Sequence, residues 1–402
     1  MKYIIVLGDG MADEPIRELG GKTPLQAADK PVMDLIAAKG RSGMLNSVPA
    51  GFKPGSEVAN LSILGYDLNE VFEGRGSLEA ASMGVPIEDG EIAMRCNLIC
   101  IEDGKIKNHS AGHISDEEAA ELIAFLQKEL GGGDANFFAG VSYRHLLKLK
   151  GGDKRLNCTP PHDVPGQPFE PLLVKPTAEE AAKTAERINE LIRASQRLLP
   201  QHPVNLKRVS EGKDPANSIW PWSPGYRPKM KTFSELYGIK SGAVISAVDL
   251  IKGIGVYAGL KPIEVEGATG LFDTNYEGKA EAAINALKEC DFVFLHVEAS
   301  DEAGHEGDFM LKKKTIEFLD HRILKPLVEA LPSIPDDVTV ALLPDHPTPC
   351  RIRTHSSDAV PFVIWKPGME PDGVTVYDEE SAKQGGYGTI AGHDFIETLF
   401  KK

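Results

Sequence analysis

Cysteine is scarce in this 402-residue sequence, and the five cysteines include no C-x-x-C pair. An odd number of cysteines without that spacing predicts reduced thiols and a cytoplasmic protein. Long apolar runs are also missing, since no window approaches the roughly 20 apolar residues of a membrane span. The apolar run that ends at Leu7 is too short for a secretory signal. The sequence therefore predicts no membrane partner.

Positive charge is also in short supply. The sequence has 44 Lys and Arg against 59 Asp and Glu, which gives a net charge of −15. This balance argues against nucleic acid or an anionic membrane as a partner. A protein of this charge that binds a phosphorylated metabolite must supply positive charge locally, from metals or from clustered Arg and Lys. The apolar fraction of 42% is ordinary for a globular protein, and the length allows two domains.

The polar stretch Leu295–Asp308 holds the densest set of candidate functional residues. The apolar run Phe292–Leu295 comes before it and predicts a buried parallel strand. In α/β sheets, ligands bind at the carboxyl ends of such strands. Asp301 and His305 are four residues apart, so on a helical turn their side chains face the same way. A carboxylate and an imidazole on one face suit a divalent metal such as Zn or Mn.

Two later segments repeat this pattern. Asp345 and His346 follow the apolar strand Val340–Leu343, and His355 lies just before the strand Val360–Trp365. Any one of these histidines alone would more often be a hydrogen-bonded surface or core residue. Their recurrence at strand termini favours metal ligation. Five ligands exceed the number that one catalytic metal takes from protein, whereas two metals would use them all. Two-metal sites are typical of phosphoryl transfer.

Two candidates occur near the amino terminus. Asp9 lies between glycines directly after the predicted strand Lys2–Leu7, where the backbone can turn sharply. Ser56 follows a Pro-Gly turn and opens a predicted helix, where free backbone N–H groups would help bind a phosphate. Each residue could instead be a simple helix N-cap.

Two further residues stand in glycine-rich contexts. Arg75 lies between two glycines and could reach a ligand. His393 follows a glycine-rich loop and precedes the last predicted helix, so it is a sixth candidate ligand. A helix cap or a loop contact explains His393 equally well.

The order of predicted elements indicates an α/β protein with an insertion. Residues 1–84 and 231–402 read as a doubly wound, mostly parallel sheet. Residues 85–230 read as an inserted α+β module with two hairpins and two amphipathic helices. The aromatic and proline-rich segment Ile219–Pro228 is interpreted as a hinge or crossover back to the first domain.

Several motifs together resemble a known family over nearly the whole chain. The sequence is similar to the cofactor-independent phosphoglycerate mutases of the archaeal type, within the alkaline phosphatase superfamily. The segments that carry the resemblance are L-G-D-G-M-A-D, P-G-S-E-V-A-N-L-S-I-L-G-Y-D, E-G-R-G-S-L-E-A-A, I-S-A-V-D-L-I-K-G-I-G, E-A-S-D-E-A-G-H-E-G-D, L-P-D-H-P-T-P and T-H-S-S-D-A-V-P-F.

The resemblance implies an alkaline-phosphatase-like fold and two divalent metal ions, of Mn, Mg or Zn. One metal would be held by Asp301, His305 and His355, and the other by Asp9, Ser56, Asp345 and His346. Ser56 is then the nucleophile that takes the phosphoryl group while 3-phosphoglycerate and 2-phosphoglycerate interconvert. No 2,3-bisphosphoglycerate is required.

The inserted module is expected to act as a lid that holds glycerate and excludes water. It should supply positively charged groups for the carboxylate of the small phosphorylated substrate. The candidates are Arg95, His109 and Arg144 of the module, with Arg75 and Lys240 from the other domain. These residues match the family less specifically than the metal ligands, and each could be an ordinary surface residue.

Other functions share parts of this pattern. A metal-dependent phosphomonoesterase or a phosphopentomutase of the same superfamily would use the same metal site. Similar chains have also been labelled homoserine kinase or phosphonopyruvate decarboxylase, and the absence of a G-x-x-x-x-G-K-[ST] motif weakens a P-loop kinase. A metal-binding scaffold is the non-enzymatic alternative, and it would be indifferent to Ser56→Ala.

Overall fold

The computed structural model describes residues 1–401 of the protein. They form two compact units, one from residues 1–72 with 229–401 and the other from Glu73–Pro228. The second unit interrupts the sequence of the first. The predicted α/β class with a mostly parallel sheet and an inserted α+β unit is confirmed.

The strands alternate with helices in the first unit and form antiparallel pairs in the second. In chain order they are β1 Lys2–Gly8, β2 Arg41–Asn46, β3 Glu91–Glu102, β4 Lys105–Asn108, β5 Ala135–Phe138, β6 Arg144–Lys150, β7 Leu156–Asn157, β8 Lys175–Pro176, β9 Ser218–Gly225, β10 Gly242–Ile245, β11 Lys261–Pro262, β12 Phe292–Val297, β13 Val338–Leu343, β14 Val360–Trp365 and β15 Thr389–Ala391.

The α-helices range from single turns to about five turns. In chain order they are α1 Pro24–Ala27, α2 Pro31–Lys39, α3 Ser56–Ile63, α4 Leu68–Val71, α5 Arg75–Ser82, α6 Asp116–Leu130, α7 Ala182–Leu198, α8 Pro203–Ser210, α9 Phe233–Tyr237, α10 Asp249–Tyr257, α11 Tyr276–Glu289, α12 Ala299–Glu306, α13 Phe309–Phe318, α14 Lys325–Ala330 and α15 Gly392–Phe400.

The first unit is built on one large sheet. Within residues 1–401, eight strands pair in the order β11-β10-β12-β1-β13-β14-β2-β15. Only β14 among them runs antiparallel to its neighbours. The central strands are apolar on both faces, and Ile4, Ile5 and Val6 of β1 are fully buried. This burial explains why β1, β12 and β13 read as continuous apolar runs in the sequence.

The second unit is an α+β module. Strands β4, β3, β6 and β5 form an antiparallel sheet, and β9 pairs with β3. Helices α6 and α7 contribute Leu122, Leu126, Ile188 and Ile192 to a core that β3 completes. Ser115 caps α6 by accepting a hydrogen bond from the Glu118 N–H, as its spacing predicts.

The segment Ile219–Pro228 ends where the chain returns to the first unit, as a crossover would, but the predicted hinge is wrong. Most of this segment is β9, which lies antiparallel to β3. Trp220 and Trp222 are buried, and burial of two large aromatic side chains favours an ordered strand over a flexible connection. Pro221 has no N–H for a ladder bond, which is tolerated because β9 pairs with β3 alone among the described strands.

The first boundary between the two units also differs from the boundary predicted at residue 84, because the second unit begins at Glu73. Helix α5 packs on β3 and β9, and Ala80 shares a small core with Ala93. Arg75, at the start of α5, therefore belongs to the second unit.

No helix within residues 1–401 is both long and apolar enough to cross a bilayer.

Candidate metal centre

The predicted ligands of the first unit gather at one edge of its sheet. Parallel strands β1, β12 and β13 end at this edge, and Asp9, Asp301 and Asp345 follow them. His355 precedes β14 instead of following it. Because β14 runs antiparallel to β13, its start lies at the same edge as the ends of the others. The strand direction brings His355 to the cluster.

The first group of ligands consists of Asp301, His305 and His355. The first turns of α12 place Asp301 and His305 on one face, with 3.1 Å between Asp301 Oδ2 and His305 Nε2. His355 Nε2 lies 3.5 Å from Asp301 Oδ1 and 3.0 Å from His305 Nε2. Thr348 also donates its hydroxyl to Asp301. Three ligand atoms thus converge on one small volume.

The hydrogen-bond partner of His305 Nδ1 determines which ring nitrogen carries the proton. Nδ1 lies 3.1 Å from the Arg353 carbonyl oxygen, which can only accept a hydrogen bond. Nδ1 is therefore the protonated nitrogen of the neutral ring, and Nε2 turns its lone pair toward Asp301. The bond to Asp301 raises the pKa of His305 to about 9, so this position favours a positive charge.

The second group consists of Asp9, Ser56, Asp345 and His346. Ser56 Oγ lies 3.2 Å from His346 Nε2 and 3.4 Å from Asp9 Oδ2. His346 Nε2 is 3.6 Å from Asp9 Oδ1 and 3.5 Å from Asp345 Oδ2. Asp9, Asp345 and His346 are almost fully buried. Burial lowers the pKa of His346 and keeps its imidazole neutral, as a metal ligand must be.

The surroundings of Asp9 disfavour the negative charge of its carboxylate. Burial and the nearby Asp345 raise the pKa of Asp9 well above its ordinary value. Asp9 Oδ1 is buried and accepts no hydrogen bond. Buried unpaired carboxylates are costly unless a cation or a proton neutralises them. The donor set of two carboxylates, one neutral imidazole and one hydroxyl fits a divalent metal.

Ser56 is placed by the start of α3. Gly55 precedes it with an extended backbone, and no side chain caps the helix. Asn60, one turn later, donates from Nδ2 to the Ser56 carbonyl at 2.8 Å and to Asp345 Oδ2 at 2.9 Å. Asn60 therefore ties the helix that carries Ser56 to the carboxylate group beside it.

The second unit gathers a separate cationic cluster. Arg95 is buried, donates to Glu79 at 2.9 Å and lies over the Trp222 ring. Burial and the positive charges of Arg75 and Arg144 lower the pKa of Arg95, although Glu79 opposes this. The structure thus brings together four residues that the sequence singled out and adds His162, whose ring lies 6.1 Å from that of His109. We call this set the Arg–His cluster: Arg75, Arg95, His109, Arg144 and His162.

Comparison with known proteins gives one consistent result. A family model described as 2,3-bisphosphoglycerate-independent phosphoglycerate mutase matches residues 37–205. A relative of that name from Methanosarcina acetivorans is 54% identical, with all of both chains covered. A Geobacter sulfurreducens protein, named a probable member, is 47% identical over the full length of both.

The chain belongs to the 2,3-bisphosphoglycerate-independent phosphoglycerate mutase family.

Two solved structures share the fold of this mutase family member. The PH0037 protein from Pyrococcus horikoshii is 32% identical, with a TM-score of 0.83 and coverage of 99% of this chain and 96% of the other. A cofactor-independent phosphoglycerate mutase from Thermoplasma acidophilum is 27% identical, with a TM-score of 0.69 and 99% of each chain covered. The family predicted from the sequence motifs is confirmed.

Some neighbours of the two ligand groups were missed by sequence reasoning. His296 is fully buried, and its Nε2 lies 2.9 Å from Asp9 Oδ2. Ser300 donates to the Asp9 carbonyl oxygen at 2.6 Å. His296 could have been found as the single polar residue inside an apolar strand. No sequence pattern pointed to Ser300. For Thr348, the only indication in the sequence was its position two residues after His346.

Two predicted residues lie apart from the two ligand groups. Lys240 is exposed and precedes β10, which is parallel to β12. It therefore lies at the amino edge of the sheet, opposite the edge that holds the ligands, and the structure does not bring it to either ligand group. His393 is 60% exposed and pairs with Asp394 at 3.4 Å. It is the second residue of α15, after the edge strand β15, and joins neither ligand group.

Proposed function

We propose that this protein interconverts 3-phosphoglycerate and 2-phosphoglycerate through a phosphorylated Ser56. Full-length identity of 54% to a named mutase supports the reaction. One structural observation supports the role of Ser56. Its hydroxyl is the only nucleophilic group among the described residues that lies within hydrogen-bonding distance of both Asp9 and His346.

Two divalent cations fit the two ligand groups. Asp301, His305 and His355 would hold one cation, and Asp9, Ser56, Asp345 and His346 the other. The convergent imidazole nitrogens and the unpaired Asp9 oxygen support this assignment. When bound, the cations lower the pKa of a serine hydroxyl and neutralise charge on the phosphoryl oxygens.

The reaction consists of two phosphoryl transfers. Ser56 Oγ attacks phosphorus, the bond from phosphorus to the 3-oxygen breaks, and that oxygen receives the proton that Ser56 gives up. Glycerate then turns, and its 2-hydroxyl attacks the phosphorus of phosphoserine. The bond to Ser56 Oγ breaks and the serine recovers a proton. The product is 2-phosphoglycerate, and no bisphosphoglycerate is consumed.

The Arg–His cluster of the second unit is proposed to bind the carboxylate of the substrate. It presents three guanidinium groups with two nearby carboxylates, Glu79 and Asp163, and so keeps a positive balance. Arginine suits carboxylate and phosphoryl groups because its fork donates two parallel hydrogen bonds. The second unit would then act as the lid that keeps water from phosphoserine.

All five cysteines are unpaired, which supports a cytoplasmic location.

A coupled assay tests the proposal. The purified protein receives Mn and 3-phosphoglycerate without 2,3-bisphosphoglycerate, while enolase reports 2-phosphoglycerate and free phosphate is read in parallel. We expect 2-phosphoglycerate with little phosphate release, lost in Ser56→Ala and retained in the exposed control Ser210→Ala. Phosphate release alone would mean a phosphatase. Neither signal, with metals bound, would remove the substrate assignment.

A further inference from the structure

The side-chain amide of Asn60 bridges the proposed nucleophile and one of the ligands. Asn60 is fully buried and lies one turn after Ser56 in α3. Its Nδ2 donates to the Ser56 carbonyl oxygen at 2.8 Å and to Asp345 Oδ2 at 2.9 Å. Both partners are oxygens that accept, so the NH2 end of the amide is the end that faces them. One nitrogen therefore holds two residues of the second ligand group.

The bond from Asn60 to Ser56 is not needed to complete the helix. In an α-helix, the backbone N–H of each residue donates to the carbonyl oxygen four residues before it. For Asn60 that carbonyl belongs to Ser56, so the side chain adds a second bond to the same oxygen. This second bond fixes the orientation of the amide and directs its other N–H at Asp345.

The oxygen of the same amide distinguishes Asn60 from an asparagine that serves the fold. Asn60 Oδ1 is buried and accepts no hydrogen bond from the described residues, which lowers the stability of the folded chain. Asn205 in the second unit is equally buried, yet its Nδ2 donates to two carbonyl oxygens at 2.8 and 2.9 Å and its Oδ1 accepts the Ala216 N–H at 2.8 Å. Folding explains the amide of Asn205, whereas the two donated bonds are what the amide of Asn60 supplies.

Asp345 extends the bridge to the loop that carries Asp9. Asp345 Oδ1 accepts the Gly10 N–H at 3.1 Å and the His346 N–H at 2.9 Å, while Oδ2 accepts the bond from Asn60. Gly10 follows Asp9 directly in the sequence. The Asp345 carboxylate thus joins the start of α3, the loop after β1 and the loop after β13. These three segments carry all four members of the second ligand group.

We propose that Asn60 is a positioning residue, which holds Ser56 Oγ in place beside Asp9 and His346 for its attack on phosphorus. The proposal rests on the proposed mutase reaction. Asn60 has no exposed surface, so it acts through Ser56 and Asp345 and not by touching the substrate. Without the bridge, the first turn of α3 and the Asp345 carboxylate can shift independently. A displacement of about 1 Å between reacting groups costs about 100-fold in rate.

Asn60→Leu tests the role, because leucine has a similar size and donates no hydrogen bond. The measurements are steady-state kinetics with Mn and 3-phosphoglycerate, and calorimetric titration of the metal-free protein with Mn. We expect kcat to fall about 10- to 100-fold and the Kd for Mn to rise by at least about tenfold, since Asn60 orients a ligand. KM should stay unchanged. Urea unfolding checks the fold, and Asn60→Ala is the second variant if leucine does not fit.

Ser62→Ala is the matched control. Ser62 is buried in the same helix, and its Oγ makes no hydrogen bond within residues 1–401, so kcat and the Kd for Mn should equal those of the wild type. A folded Asn60→Leu protein with wild-type kcat and wild-type Kd for Mn would overturn the proposal, as would a change in KM alone. If the wild type itself makes no 2-phosphoglycerate, the proposed function fails, and the Kd for Mn still decides whether Asn60 orients Asp345.

Discussion

His305 Nε2 and His355 Nε2 lie 3.0 Å apart, and each also faces an oxygen of Asp301. Two imidazole nitrogens can approach so closely only if a proton or a cation lies between the lone pairs. Because His305 Nδ1 faces a carbonyl oxygen, the ring is oriented to offer Nε2 to a ligand. The pair is therefore the most direct geometric sign of a metal centre in the first unit.

Removal of one of these histidines should weaken metal binding. Residues that merely support a ligand cost about 10- to 100-fold in metal affinity when they are changed, so loss of a ligand should cost at least about tenfold. His355→Ala is expected to raise the Kd for Mn by at least that factor, as measured by calorimetric titration. His321→Ala is the control, because His321 pairs with Asp29 in the same unit and joins no ligand group. Equal Kd values for His355→Ala and wild type would contradict the assignment.

His296 should act through Asp9. Its Nε2 is 2.9 Å from Asp9 Oδ2, and its Nδ1 is 3.2 Å from Ser246 Oγ. We expect His296→Leu to lower affinity for the metal at Asp9, or kcat, by about 10- to 100-fold without loss of the fold. His296→Gln, which can still reach Asp9 with a donor, should recover part of the loss. A variant with unchanged kcat and unchanged Mn affinity would show that His296 only fills space.

Lys312 should stabilise the loops that carry the ligands. Its fully buried ammonium group donates to the Ala12 carbonyl, to Asp13 and to the Thr348 carbonyl at 2.8–2.9 Å. Lys312→Met leaves Asp13 as a buried charge without its partner and should lower the free energy of unfolding by about 3–5 kcal/mol. Lys313→Met removes only a more exposed pair with Glu317 and should cost less than about 1 kcal/mol. Urea unfolding compares the two variants, and equal losses would contradict the prediction.

Stability should fall in acid because of His145. This residue is buried in the second unit, where its Nδ1 accepts the Gly140 N–H at 3.1 Å. Burial lowers its pKa from 6.5 to about 3. The unfolded chain therefore binds the proton first, so the stability that neutral His145 provides is complete above pH 6.5 and is lost as the pH falls toward 3.

The expected size of the His145 effect is about 2 kcal/mol between about pH 6.5 and about pH 5, from about 1.4 kcal/mol per pH unit. Urea unfolding at both pH values measures it. His145→Gln keeps an acceptor for the Gly140 N–H and should reduce the dependence by that amount. The same dependence in wild type and variant would assign the acid sensitivity to other groups.

Much of the site could be predicted because its three aspartates follow distinctive apolar runs. Asp9, Asp301 and Asp345 come after strands buried on both faces, and parallel strands share one carboxyl edge. His355 needed more than this rule, since it lies before its strand. Only the antiparallel direction of β14 brings it to that edge, and strand direction depends on long-range pairing that local sequence does not encode.

The other differences arise from packing between distant segments. His296 and Lys312 are polar residues in otherwise unremarkable patterns, and their partners are about 290 to 300 positions away in the chain. Trp220 and Trp222 looked like part of a hinge because proline accompanies them, yet they pack on β3. Lys240 was predicted to bind substrate, whereas the sheet places it at the edge opposite the ligand groups. Such placements depend on tertiary contacts, which residue spacing alone does not reveal.

The central claim is that Ser56 carries the phosphoryl group between the two oxygens of glycerate. Rapid acid quench after mixing the Mn-loaded protein with 3-phosphoglycerate labelled with radioactive phosphorus tests it most directly, followed by mapping of the labelled peptide. The account predicts transient label on the peptide that contains Ser56, absent in Ser56→Ala and present in Ser210→Ala. Formation of 2-phosphoglycerate at the normal rate with no label on that peptide would contradict it.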